Sequence, residues 1–221
     1  MPRQNRVTPF GAIDAVPDRG TLTGNRGVLH DNAGTICRAW QSRRWILCVL
    51  EFKGRKRAVM LPGCYTELFF LDEATGLAAG HRPCAECQRQ RFNEFRAAWV
   101  ASDRNLATER TPTAGEIDDR LHGERVGAGG EKVRYEADLD GLPDGVSVTL
   151  AGDDATAYLL WRGELLAWSP GGYGGRRPRP ATGPVSVLTP ISTVAAIRAG
   201  YMPLVHPSAW MTAEQLVEAS S

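Results

Sequence analysis

Hydrophobic positions crowd into three runs between residues 44 and 71, and the spacing between those runs predicts their pairing. Residues 44–52 (Arg-Trp-Ile-Leu-Cys-Val-Leu-Glu-Phe) are dense in β-branched and aromatic side chains and predict a strand. Gly54-Arg55-Lys56-Arg57 reads as a turn into Ala58-Val59-Met60-Leu61. Pro62-Gly63 reads as a second turn, into residues 65–71. Connections this short allow only hairpins, so a three-stranded antiparallel meander is expected. Before it, residues 1–35 are rich in Gly, Pro, Asn and Asp, which predicts turns between short extended pieces.

After the meander the period changes. Residues 68–80 read as strand, cap at Asp72, short alanine-rich helix and glycine stop at Gly80. Phe92, Phe95, Ala98 and Trp99 recur at spacings of three and four, the mark of one buried helix face. Arg89, Arg91, Glu94 and Arg96 fall mostly off that face. A weaker helix is expected at 116–126, followed by the flexible joint Gly127-Ala128-Gly129-Gly130.

Beyond the joint the pattern is β. Residues 133–137 and 146–150 alternate, and residues 157–161 and 164–168 form a hairpin across Arg162-Gly163. Residues 169–184, rich in Gly and Pro and carrying Arg176, Arg177 and Arg179, read as a mobile basic loop. Residues 192–203 echo residues 72–83: both end in glycine, an aromatic ring, one residue and proline. Shared helix punctuation explains the echo better than duplication. The expected fold is α+β in two parts. Residues 1–126 form a β-meander and helix unit around a C-x-x-C knuckle, and residues 131–221 a small β-rich unit with a C-terminal helix.

Composition adds limits. A chain of 221 residues, 43% hydrophobic and 23% charged, can bury a sizeable core. The net charge of +1 makes no global case for nucleic acid. Locally, Arg38, Arg43, Arg44, Lys53, Arg55, Lys56 and Arg57 cluster early, whereas Glu116, Asp118, Asp119 and Asp138 begin an acidic second half. That asymmetry suits a phosphate-binding surface or an internal docking of the halves. No apolar stretch approaches a membrane span. The N-terminus lacks a signal-peptide core, and an odd count of five cysteines argues against a disulfide framework. A cytoplasmic location is expected.

The chemistry centres on Gly80-His81-Arg82-Pro83-Cys84-Ala85-Glu86-Cys87. Two residues between thiols form a turn that aims both sulfurs at one metal ion. With the preceding strand and alanine-rich helix, this order resembles the zinc-binding module of Ada-type DNA-repair proteins, over residues 62–91. The resemblance implies a structural zinc held by Cys84 and Cys87 with Cys64 as third ligand. The upstream C-x-x-x-C of that family is absent here, so His81, Cys48, Cys37 and His30 are all open as the fourth. It also implies nucleic acid as partner, DNA rather than RNA, with Arg82 and Arg89 touching phosphate beside the basic run Arg55, Lys56 and Arg57.

Two other readings compete. Asp31, then Glu51 and Lys53, is similar to the pattern of the PD-(D/E)xK nucleases, in which alternation on a strand brings a carboxylate and a lysine to one divalent cation. A solvated strand face explains the same residues. The third reading is a metal-free protein-interaction module. Histidines at 30, 81, 122 and 206 are further acid–base candidates, and phosphate-binding glycine loops and nucleophile-elbow motifs are absent.

Overall fold

A computed structural model describes residues 1–54, 58–103, 110–211 and 215. The fold is α+β: among the described residues, twelve strands form two six-stranded sheets beside four α-helices. The first sheet comprises β1 (Arg6–Val7), β2 (Ile13–Asp14), β3 (Leu22–Asn25), β4 (Ile46–Val49), β5 (Leu68–Phe70) and β6 (Arg82–Pro83). Their order is β2-β1-β5-β3-β4-β6, with β1/β5 and β4/β6 parallel.

This order replaces the expected meander. β3 inserts between β4 and β5, pairing Gly24 with Leu47 on one side and with Leu68 on the other. Gly24 makes the insertion sterically feasible, because a Cβ there would lie 2.1 Å from the Ile46 carbonyl oxygen. The anticipated middle strand does not form. β4 stops at Val49, and the following loop turns through left-handed backbone at Lys53 (φ 52°) and Met60 (φ 58°).

The helices follow local signals closely. α1 (Glu73–Ala78) is capped by Asp72, whose Oδ1 accepts from Thr75 N at 2.8 Å. It ends on Gly80 (φ 93°), where Gly80 N donates to Leu77 O at 2.9 Å and His81 N to Gly76 O at 2.9 Å. That is a Schellman stop, for which glycine is favoured because the position is left-handed. α2 (Arg89–Ser102) buries Phe92, Phe95, Ala98 and Trp99, the face the spacing predicts. α3 (Ala114–Arg125) begins with a capping box between Thr113 and Glu116. α4 (Ile191–Arg198) ends as α1 does, Gly200 N donating to Ile197 O and Tyr201 N to Ala196 O. The echo between residues 72–83 and 192–203 thus corresponds to two helix stops of one type.

The second sheet is antiparallel throughout: β7 (Tyr135–Asp138), β8 (Ser147–Leu150), β9 (Asp153–Trp161), β10 (Glu164–Ser169), β11 (Gly172–Pro178) and β12 (Pro184–Val187), ordered β11-β10-β9-β8-β12-β7. β11 lies in the segment expected to be a mobile loop. Its glycines pair with β10, and Arg176 and Arg177 stand exposed on this edge strand.

The largest core crosses the expected boundary at 126–131. Phe92, Phe95, Trp99, Ile117 and Leu121 from α2 and α3 join Val148, Leu160, Val185 and Val187 of the second sheet, Val146 just before β8, and Val194 and Ile197 of α4. Each fully buried side chain of this size contributes about 1.5–3 kcal/mol. The C-terminal segment is tied back to α1 by buried acids. Glu73 accepts from Tyr201 Oη at 2.5 Å and Leu204 N at 2.8 Å, and Asp72 from His206 N at 2.8 Å and Tyr173 Oη at 2.9 Å. Among the described residues no helix is long and apolar enough to cross a membrane.

Candidate metal centre

The Schellman stop at Gly80 throws the chain directly into β6, which pairs in parallel with β4. Arg82 N donates to Trp45 O at 3.1 Å and Cys84 N to Leu47 O at 2.8 Å. Gln88 closes the turn, its side-chain amide donating to Leu47 O at 2.9 Å and its N to Cys84 O at 3.1 Å. This register sets the knuckle against the end of β4, where Cys48 follows Leu47. As a result, the sulfurs of Cys48, Cys84 and Cys87 all lie within 4.8 Å of one another.

Charge in this cluster is shared unequally. The Cys84 thiol is held far below its ordinary range, first by hydrogen bonds from Cys48 and Cys87, then by the backbone N–H groups of Cys87 and Glu86, against the opposing effect of burial. The Glu86 N–H lies 3.4 Å from its sulfur. The Cys48 thiol is pushed up by its bonds to Cys84 and Cys87 and by burial. For Cys87 the Cys48 bond lowers the value, but the bond to Cys84 and burial outweigh it. The shared bonds favour charge on Cys84 over Cys48 and Cys87, and a bound cation would displace the remaining thiol protons.

The donor set fits zinc. Zinc–sulfur bonds of about 2.3 Å in a tetrahedron put sulfurs roughly 3.8 Å apart, so thiols already within 4.8 Å need close by only about 1 Å. Three soft thiolates also favour zinc or copper(I) over magnesium or calcium. The three cysteines line an open groove of ≈ 360 Å³ together with Thr23, Asn25, Phe52, Tyr65, Glu67 and Glu86. A second groove of ≈ 900 Å³, whose charged lining is Arg3, Arg6, Asp18 and Arg19, shares Leu50, Val59 and Phe69 with the first.

Cys64, the expected third ligand, is not one of the converging thiols. It is half-buried in the turn after Gly63, its N–H donating to Leu61 O at 3.0 Å, and Cys48 takes its corner. The other candidates serve elsewhere. His81 is fully buried, its Nε2 accepting from Arg26 Nε at 3.2 Å, with Trp45 and Phe70 ring centroids at 5.2 and 4.6 Å. His30 Nδ1 bonds Thr66 Oγ1 at 2.6 Å, and Cys37 is exposed with its sulfur 3.3 Å from Thr35 O.

Arg82 does not face a phosphate. It is 2% exposed and grips Asp118 with Nε at 2.9 Å and Nη2 at 2.7 Å. Arg89 is exposed at the first turn of α2. Arg55, Lys56 and Arg57 lie outside the described residues. The nuclease pattern loses its strand, since Glu51 and Lys53 follow the end of β4, both exposed, with Lys53 Nζ 5.1 Å from the Phe52 ring centroid. Asp31 Oδ1 accepts from Ala33 N and Thr35 N, each at 2.9 Å, as a turn cap. Sequence reasoning did not group Arg3 and Arg19 with Asp18 and the buried Arg6 around the second groove, because no local pattern groups residues that distant folding assembles. Compared with known proteins, the chain matches no family model, no curated protein and no solved structure.

Proposed function

We propose that this protein binds nucleic acid, DNA in preference to RNA, around a structural zinc centre held by Cys48, Cys84 and Cys87 in a module of the Ada type. The observation that carries this reading is the convergence of three thiols in the wall of a groove that adjoins an arginine-lined one. Zinc would fasten the end of β4 to the start of α2, and its fourth position would be filled from the groove by water or a ligand atom. Arg3 and Arg19 are exposed along the adjoining groove beside Asp18 and supply cations for phosphate, while Tyr65 and Phe52 line the first groove. All five cysteines are free thiols, which suits a reducing compartment, and we place the protein in the cytoplasm.

The test has two arms. Elemental analysis of protein purified without added metal should find about one zinc per chain. Retention on single- and double-stranded DNA should fall steeply with salt. Arg3→Glu/Arg19→Glu should reduce both affinity and the salt slope, by roughly 0.9 on duplex DNA for each phosphate no longer neutralised. Absence of zinc removes the centre. Absence of binding to DNA or RNA at low salt removes the nucleic-acid role and leaves a metal-stabilised interaction module.

A further inference from the structure

Around Trp45 the structure gathers cations that, among the described residues, no carboxylate touches directly. Arg26 and Arg125, each 1% exposed, hold their guanidinium carbons 4.0 and 4.3 Å from the Trp45 ring centroid. Arg26 commits Nε to His81 and Nη1 to Gly11 O at 2.9 Å. Arg125 commits Nη1 to Gly80 O at 2.7 Å and Nη2 to Arg43 O. Four nitrogens nearby remain buried and without a partner: Arg26 Nη2, Arg125 Nε, Lys132 Nζ and His81 Nδ1. Lys132 reaches this group because the isolated Val126↔Lys132 bridge folds the chain back beside Arg125. His81 Nε2 accepts from Arg26, so its Nδ1 carries the proton and is a neutral donor. The carboxylate whose field reaches Arg125 is Asp118, and both its oxygens are already bonded to Arg82.

Such a cluster is costly as it stands. Burial, then repulsion from Arg125, lowers Arg26 to about 9, and burial, then Arg26, Arg125 and Arg134, lowers Lys132 to about 7. Water could satisfy the donors but would leave the charges unbalanced, whereas an anion does both. We infer that Arg26, Arg125 and Lys132, with His81 Nδ1, form a buried site for a tetrahedral oxyanion of the phosphate class. Several acceptor oxygens suit several unpartnered donors, and a dianion balances two guanidiniums and an ammonium better than a carboxylate does. Lys132 is partly buried as a residue and its ammonium is fully buried, which places the site beneath the surface. The site does not rest on the nucleic-acid reading, and phosphate binding would stand if the protein ignored DNA.

Calorimetric titration with inorganic phosphate, at ionic strength matched by chloride, tests it alongside thermal scans. The wild type should bind phosphate and melt several degrees higher than in chloride. Lys132→Met should weaken phosphate binding at least tenfold, yet melt no lower than wild type in chloride, because an unpaired buried charge is gone. Arg176→Gln, on the exposed β11 edge, should bind phosphate as wild type does. A wild type with neither heat nor shift overturns the site even if Lys132→Met fails to fold, and so does a Lys132→Met that responds like wild type. Competing oligonucleotides separate the sources. Displacement of phosphate by a 5′-phosphorylated strand alone assigns a nucleic-acid terminus, and displacement by neither strand assigns a free ion. Equal displacement by 5′-phosphate and 5′-hydroxyl strands would place the phosphate on an open basic surface and overturn the buried site.

Discussion

Asp118→Ala removes the carboxylate that holds the approach to the knuckle. Asp118 on α3 receives Arg82 Nε and Nη2 at 2.9 and 2.7 Å, and the two side chains are 6% and 2% exposed. In the variant, Arg82 keeps its bond to Pro83 O at 2.9 Å and its position 5.1 Å from the Phe92 ring centroid, but the guanidinium remains buried with two donors unpaired. Breaking such a pair from one side costs about 3–5 kcal/mol. Total stability for a domain is about 5–15 kcal/mol, so the loss is a large fraction of it. At about 2–4 °C per kcal/mol for a chain of this size, the melting temperature should fall by roughly 6–20 °C. The double variant Arg82→Met/Asp118→Leu should recover most of that loss, because an apolar pair needs no compensation. Urea denaturation of the wild type, Asp118→Ala and the double variant measures this, and a chelator competition reports zinc affinity, which should weaken in Asp118→Ala because Arg82 stands two residues before Cys84. A loss below about 1 kcal/mol in Asp118→Ala, or a double variant no more stable than it, would refute the idea that a desolvated ion pair anchors β6.

Cys48→Ser should abolish zinc retention, while Cys64→Ser leaves it unchanged; equal metal content in both would dissociate β4 from the centre. His81→Gln should flatten the acid limb of the stability curve. The wild-type imidazole is pushed well below its ordinary pKa, first by burial and then by Arg26 and Arg125. Its contribution is therefore present above about 6.5 and lost as pH falls below that, because only the unfolded ring takes up the proton. Identical urea midpoints against pH in the two proteins would exclude this. Thr113→Ala removes the hydroxyl that accepts from Glu116 N at 3.3 Å and should cost about 0.5–2 kcal/mol in denaturant titration without changing zinc content.

The helices and the knuckle were legible in the chain because their causes are local. The spacing of Phe92, Phe95, Ala98 and Trp99 is itself the geometry of a helix face, and Asp72 and Gly80 mark where α1 starts and stops. The pair Cys84 and Cys87 was legible for the same reason, since two intervening residues build the turn that aims both sulfurs. The third thiol belongs to a strand neighbour, and strand neighbours are chosen by distant segments. β3, a short Leu-Thr-Gly-Asn piece with little strand character, displaced the expected hairpin because Gly24 lets the Ile46 backbone approach. Parallel pairing of β6 on β4 then brought Cys48 to the knuckle and left Cys64 outside it. Arg82 looked like a phosphate ligand from its place beside the cysteines, yet Asp118 lies 36 residues on and meets it only once α3 docks. Charge and thiol chemistry are written residue by residue, but which groups share a site depends on long-range pairing and burial, and these only the tertiary structure decided.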